Sequence, residues 1–131
     1  MKYVYPIILE PDDGMISATV PDLRGCHTFG SDMAEALLMA KDAIEMWLWN
    51  AENENKPIPS PTLVANICAG ANETVTLVAA DTDEYRKAND TRAIKKTLSI
   101  PSWLNREAER ANAPFSQILQ QGLKDYLQKA N

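Results

Sequence analysis

The stretch from Arg92 to Ile100 alternates between apolar and polar side chains, and Pro101 follows it directly. One parity carries Ile94, Leu98 and Ile100, interrupted only by a lysine. A period of two is typical of a strand with one buried face, so we predict a strand here. Only two short helical patterns follow it. One strand and two short helices bury too little apolar surface alone, so we expect this tail to pair with a second copy of itself.

The two helical patterns that follow complete a recognisable order of elements. In the first, apolar residues recur at helical spacing, and Asn112-Ala-Pro114 ends it. The second has the broadest apolar face in the chain, formed by Ile118, Leu119, Gly122, Leu123, Tyr126 and Leu127. Strand-helix-helix is the plan of ribbon-helix-helix proteins, in which a two-stranded antiparallel ribbon enters the DNA major groove.

The charge of the chain is divided unequally along its length. Residues 92–131 hold seven Lys or Arg and three Asp or Glu, whereas residues 1–91 hold six and fifteen. The net charge of −5 therefore combines a basic tail with an acidic front. This division indicates two functions with two kinds of partner.

The front of the chain predicts a β-β-β-α-β unit. Strands are predicted over Lys2–Glu10, Met15–Val20 and Cys26–Phe29, and the Asp-Gly at 13–14 predicts a tight hairpin turn. Pro6 lies within the first strand and indicates an edge position or a bulge. Further strands are predicted over Thr62–Ala69 and Thr74–Ala80.

One amphipathic helix is predicted between these strands. Asp32 is a good N-cap, and Glu35 stands three residues on, as a capping box requires. The expected buried stripe consists of Met33, Leu37, Ala40, Ile44, Trp47 and Leu48. Such a stripe is better explained as core packed on the sheet than as a ligand site.

These elements divide the chain into two predicted domains. Residues 81–89 are acidic and then mixed, and residues 88–90 resemble a linker, so the boundary is placed between residues 88 and 89. The fold class is α+β, with an N-terminal β-β-β-α-β domain at 1–88 and a ribbon-helix-helix dimerisation domain at 89–131.

Cys26 and Cys68 form no close pair, which favours buried thiols over a disulfide or a metal site. No apolar run is long enough for an export signal or a membrane span, and we expect a cytoplasmic protein.

The front resembles the HicB family of type II antitoxins. The resemblance is carried by Val20-Pro-Asp-Leu-Arg-Gly-Cys26, close to the family's "vPdlpGc" turn, and by Phe29-Gly-Ser-Asp-Met-Ala-Glu-Ala-Leu37, close to its "GdT-x-eEAl" helix start. Arg24 and the Ser31-Asp32 pair depart mildly from that wording. The tail resembles the ribbon-helix-helix version of the family, so the two parts together cover nearly the whole chain.

The resemblance implies a partial ribonuclease H-like front domain and a function in two halves. The front domain binds and silences a HicA toxin, an mRNA-cleaving ribonuclease with a double-stranded-RNA-binding fold. The tail forms a homodimer that binds the operator of its own operon and represses it; larger assemblies stay open. No enzyme activity, cofactor or metal is implied.

The tail residues expected to contact DNA are of two kinds. Lys95, Thr97 and Ser99 lie on the polar parity, where side chains of ribbon-helix-helix proteins point into the major groove, and their chemistry suits base edges. The alternative interpretation is that these three side chains form a solvated strand face that contacts no DNA. Expected phosphate contacts are Arg92, Lys96 and the backbone amides at the start of the last helix, Phe115, Ser116 and Gln117.

Four front carboxylates, Glu10, Asp12, Asp13 and Asp22, are candidate contacts to a basic toxin, with a solvated acidic surface as the alternative. A two-metal nuclease would need such carboxylates to converge on Mg²⁺, and an acidic hairpin turn is the better explanation. His27, the only histidine, has no nucleophile or ligand nearby in sequence. A ligand-responsive repressor without a toxin partner is the runner-up function.

Overall fold

The computed structural model describes residues 1–130, and its two compact units are divided between Arg92 and Ala93. We call residues 1–92 the front unit and residues 93–130 the tail unit. This division lies four residues beyond the boundary predicted from the sequence.

The front unit contains one antiparallel sheet of four strands. They are β1 (Lys2–Asp12), β2 (Met15–Thr19), β3 (His27–Gly30) and β4 (Thr74–Asp81), in the order β3-β2-β1-β4. The β1–β2 hairpin turns through Asp13 and Gly14, both at positive φ, as the Asp-Gly pair predicts.

Pro6 lies within β1, a central strand, but its lack of a backbone N–H removes no hydrogen bond between strands. Pairing of β1 with β2 begins only at Ile8, so residues 2–7 pair with β4 alone. The backbone N–H of Thr82 bonds to the carbonyl of Met1, and alternation from that bond leaves Pro6 opposite Leu77 as a non-bonded pair. The position of the missing N–H therefore faces the side of β1 where no strand is paired. At Pro6, β1 is thus an edge strand, as predicted, although it is central further along.

The helix α1 (Met33–Asn53) covers one face of the sheet. Its N-cap is Asp32, whose carboxylate accepts the backbone N–H of Glu35 at 2.8 Å, as predicted. The buried stripe is Ala36, Ala40, Ile44, Leu48 and Ala51. The stripe predicted from Met33 was wrong at its start, because that side chain is exposed and Ala36 takes the inward position.

Small residues set how closely α1 approaches the sheet. A β-carbon on Gly30 would lie 2.2 Å from the backbone nitrogen of Ala36. Only glycine therefore fits where β3 meets the first turn of the helix. The core formed here also contains Tyr5, Ile7 and Leu9 from β1.

One sequence prediction for the front unit was wrong, and one helix was not predicted. Residues 62–69 form no strand; they contain a short 3₁₀ helix, Val64–Asn66, after the proline-rich connector. A second helix that the sequence analysis did not predict, α2 (Thr82–Asn89), follows β4. Asp81 caps this helix: its carboxylate accepts hydrogen bonds from the backbone N–H groups of Asp83 and Glu84. These two bonds stabilise the first turn of a helix that has few apolar residues.

The tail unit contains two helices, α3 (Ser102–Arg110) and α4 (Phe115–Ala130). Asn112, at φ 54°, turns the chain after α3, so the helix ends where predicted. Residues 90–101 form neither helix nor strand in the single chain. The predicted strand over Arg92 to Ile100 is thus absent here, where no neighbouring strand supplies the inter-strand hydrogen bonds.

Candidate functional site

The predicted base-reading residues of the tail are all exposed. Lys95, Thr97 and Ser99 lie on the connection between Arg92 and α3, and each is solvent-accessible. In the described residues none of their side chains makes a hydrogen bond or ion pair within the chain. Their role as base contacts stays a prediction, since they lie outside any strand here.

The two predicted cationic phosphate contacts differ in their surroundings. The Arg92 guanidinium donates to both carboxylate oxygens of Asp90, at 2.9 and 3.1 Å. These bonds hold the pKa of Asp90 below its usual range and raise the pKa of Arg92. Lys96 is exposed. A phosphate would therefore compete with Asp90 for Arg92 and meet Lys96 directly.

The start of α4 presents the third predicted phosphate contact. Ile118 is the first residue whose N–H closes the helix, by bonding to the carbonyl of Pro114. The backbone N–H groups of Phe115, Ser116 and Gln117 precede it and have no carbonyl one turn back within the helix. Such amides favour an anion at this end of the helix.

The apolar side chains of the tail unit are left uncovered. No residue from 93 to 130 is buried, although this unit contains most of the chain's exposed leucines. Within the unit, an open groove of about 610 Å³ is lined by Leu98, Ile100, Leu104, Leu119 and their neighbours. The tail unit by itself therefore forms no buried core.

Three of the four predicted toxin-binding carboxylates share the tip of the β1–β2 hairpin. Glu10, Asp12 and Asp13 are exposed, and no side-chain partner within residues 1–130 bonds to their carboxylates. They are free to meet a cation from another molecule.

Asp22 instead has an internal role. Its two carboxylate oxygens accept the backbone N–H of Thr62 at 2.9 Å and the hydroxyl of Thr62 at 2.5 Å. This pair of bonds fastens the proline-rich connector to the turn after β2. Asp22 was predicted as a toxin contact from its charge. The sequence does not indicate this internal bond, because it joins residues forty positions apart.

A carboxylate that sequence reasoning missed ties three elements of the front unit together. Glu52 accepts hydrogen bonds from the Tyr3 hydroxyl at 2.8 Å and the Thr82 hydroxyl at 3.0 Å, and it pairs with Arg86 at 3.2 Å. Burial and the bond to Glu52 raise the pKa of Tyr3 to about 12. No short sequence motif predicts this network, because its members come from β1, α1 and α2.

A groove of about 750 Å³ lies beside this network, lined in part by Tyr3, Tyr5 and Glu52. The Tyr5 hydroxyl donates to the carbonyl of Pro59, and the Tyr3 hydroxyl is already bonded. A ligand in the groove would have to displace these internal partners to gain polar contacts.

The remaining reactive groups are dispersed. Among residues 1–130, no group of three or more His, Cys, Asp or Glu could hold a metal ion. Cys26 is buried, and burial raises the pKa of its thiol to about 11, whereas Cys68 is exposed. His27 is exposed on the edge strand β3.

The comparison with known families spans both units. The family described as the HicB-like antitoxin of bacterial toxin–antitoxin systems matches residues 5–130. This chain belongs to the HicB-like antitoxin family. The expectation drawn from the turn before β3 and the start of α1 is thereby confirmed.

A sequence relative matches part of the chain. A UPF0150 protein of Synechocystis is 35% identical over 63 residues, which cover 47% of this chain and 80% of that protein.

Solved structures show the same fold. A toxin–antitoxin complex from Streptococcus pneumoniae is 22% identical, with a TM-score of 0.63 over 96% of this chain and 99% of the other. A HicA3 and HicB3 toxin–antitoxin complex is 22% identical, with a TM-score of 0.52 over 60% of this chain and 99% of the other. The matched chains share the mixed α+β architecture of this chain. Within residues 1–130, no helix has the length and apolar character needed to cross a bilayer.

Proposed function

We propose that this HicB-like protein is a non-enzymatic antitoxin whose front unit neutralises a HicA-type mRNA-cleaving toxin. The family match over residues 5–130 is the observation that carries this proposal. The complex of HicA3 with HicB3 has the same fold as this chain and supports a toxin partner of that kind. The front unit, with fifteen acidic and seven basic side chains, suits a cationic RNA-binding protein.

The tail pairs with a second copy to form a ribbon-helix-helix dimer. The absence of any buried residue from 93 to 130 supports this pairing, because the apolar faces of α3 and α4 need cover. The stretch from Arg92 to Ile100 then becomes a strand when the same stretch of the second copy supplies its hydrogen bonds. The apolar parity of this ribbon packs against the helices, which leaves the polar parity free.

The dimeric tail binds operator DNA and represses its own operon. Lys95, Thr97 and Ser99 contact base edges in the major groove. Arg92, Lys96 and the first amides of α4 contact phosphates. We expect steep salt dependence, because these phosphate contacts release counterions.

The test of this division of labour uses one protein in two assays. Lys95→Ala should weaken binding in a gel shift with the DNA upstream of the operon, while pull-down of the toxin stays unchanged. Lys129→Ala, which removes the same charge from the last turn of α4, is the matched control. Loss of both activities in Lys95→Ala, or DNA binding that ignores salt, contradicts the division.

A ligand-responsive repressor without a toxin partner is the competing proposal. The groove beside Glu52 offers space for a small molecule, but its tyrosine hydroxyls have internal partners. A small basic toxin encoded in the adjacent reading frame favours the antitoxin. Failure to capture any protein, with DNA binding intact, favours the repressor.

A further inference from the structure

The sheet of the front unit has one face that no helix of that unit covers. Because α1 packs against Tyr5, Ile7 and Leu9, the alternate residues of β1 point to the opposite side. The strand registers add side chains from the other three strands to this side. We call this surface the open face; its apolar members are Val4, Pro6, Ile8, Met15, Phe29, Val75 and Leu77.

The open face is apolar and largely exposed. Leu77 is 55% exposed on β4, Val4 is 47% exposed on the neighbouring β1, and Phe29 is 45% exposed on the opposite edge strand β3. Pro6, which pairs with Leu77, is fully buried. Ser17 and Thr19 of β2 lie between Phe29 and β1. Exposed apolar side chains that share one face in this way mark a site of interaction with another molecule.

Carboxylates without an internal partner are placed at one end of the open face. Glu10 and Asp12 follow Ile8 on the same parity of β1, and Asp13 stands at the adjoining turn. Lys2 lies at the far end of the same strand. The open face therefore combines an apolar centre, including an aromatic side chain and a methionine, with a free acidic rim, which is the composition of a protein interface.

We propose that the open face, with the acidic hairpin tip as its rim, is the surface on which the toxin docks. This inference rests on the proposed antitoxin function. An enzyme that cleaves mRNA must bind phosphates through cationic side chains, and those cations complement Glu10, Asp12 and Asp13. A second copy of this chain is the less favourable occupant, because two front units of the same acidic excess repel each other.

The proposal assigns different effects to the centre and the rim. The apolar centre sets how long the complex lasts, since truncating a central contact acts mainly on dissociation. The acidic rim sets how fast the complex forms, since exposed charges act mainly on the rate of association.

The test measures binding of the purified toxin from the adjacent reading frame to the full-length chain. Leu77→Ala and, separately, Phe29→Ala should each raise the dissociation constant about tenfold. Leu38→Ala is the matched control, since Leu38 is 68% exposed on α1, on the other side of the sheet. It should change binding by less than about twofold. Two open-face variants on different strands guard against one failing to fold, which thermal unfolding checks.

Glu10→Gln combined with Asp12→Asn should slow association and reduce its dependence on salt, with little change in dissociation. The outcomes separate the two proposals. Wild-type binding with no loss in either Leu77→Ala or Phe29→Ala overturns the docking surface and leaves the antitoxin function standing. A wild-type chain that does not bind the toxin overturns both. A change in the assembly state of the chain alone, without loss of toxin binding, makes the open face a contact between copies instead.

Discussion

Truncation of a single leucine on α4 should separate the two copies of the tail. Leu123 is 52% exposed in the single chain, on the broad apolar face of the helix. Complete burial of a leucine side chain is worth about 1.5–3 kcal/mol, so covering the exposed half contributes roughly 1 kcal/mol per copy. Leu123→Ala removes this contribution from both copies, about 2 kcal/mol per dimer. The dimer dissociation constant should therefore rise about thirtyfold.

Sedimentation velocity over a range of protein concentrations measures this change directly. Leu38→Ala makes the same substitution on α1 of the front unit and should leave self-association unchanged. Operator binding by Leu123→Ala should fall in parallel, because a ribbon needs two strands. A wild-type chain that stays monomeric over the whole range, or equal association of wild type and Leu123→Ala, refutes the reasoning.

Three further predictions address other parts of the chain. Lys95→Ala should reduce operator affinity by about 1–3 kcal/mol in gel shifts and leave toxin binding unchanged. Gly30→Ala should destabilise the front unit by about 1–3 kcal/mol or more in urea unfolding, because the new methyl group meets the backbone of Ala36; unchanged stability contradicts the close approach. Cys26, with its pKa raised to about 11 by burial, stays a thiol below that pH. A thiol-alkylating reagent at about pH 8 should thus label exposed Cys68 first and Cys26 only after unfolding, whereas equal rates contradict the burial.

Local patterns in the sequence were enough to predict much of the front unit. The Asp13-Gly14 turn, the Asp32 cap and the β-branched and aromatic composition of β1 each depend on neighbours within a few residues, and the structure contains the turn, the cap and the strand. The order β-β-β-α-β follows from these signals. The family resemblance came from the same region, at the turn before β3 and the start of α1.

Features that depend on distant partners were missed. The bond between Asp22 and Thr62, and the network around Glu52, join residues far apart in sequence, so no window of the chain contains them. Residues 62–69 have the composition of a strand but form none, because composition does not state whether a neighbouring strand exists.

The predicted strand of the tail also depends on a distant partner. Its alternation predicts a strand, and the single chain leaves that stretch irregular and its apolar side chains exposed. In the proposed dimer the hydrogen bonds of this strand join two chains, so neither one sequence nor one chain contains them. The DNA contacts predicted at Arg92, at residues 95–97, at Ser99 and at residues 115–117 remain predictions for the same reason.

The acidic residues were predicted as a class and then separated by the structure. Asp22 is held by an internal bond, while Glu10, Asp12 and Asp13 are free at the hairpin tip. Sequence composition alone could not distinguish a carboxylate that fastens a connector from one that faces solvent.

The most direct test of the account is a titration of the toxin's RNA-cleaving activity with this purified chain. The toxin from the adjacent reading frame is held at a fixed concentration, and cleavage of a defined mRNA is followed as the chain is added. Cleavage should fall linearly and stop at a fixed stoichiometric ratio of chain to toxin. Undiminished cleavage in the presence of excess folded chain contradicts the antitoxin function.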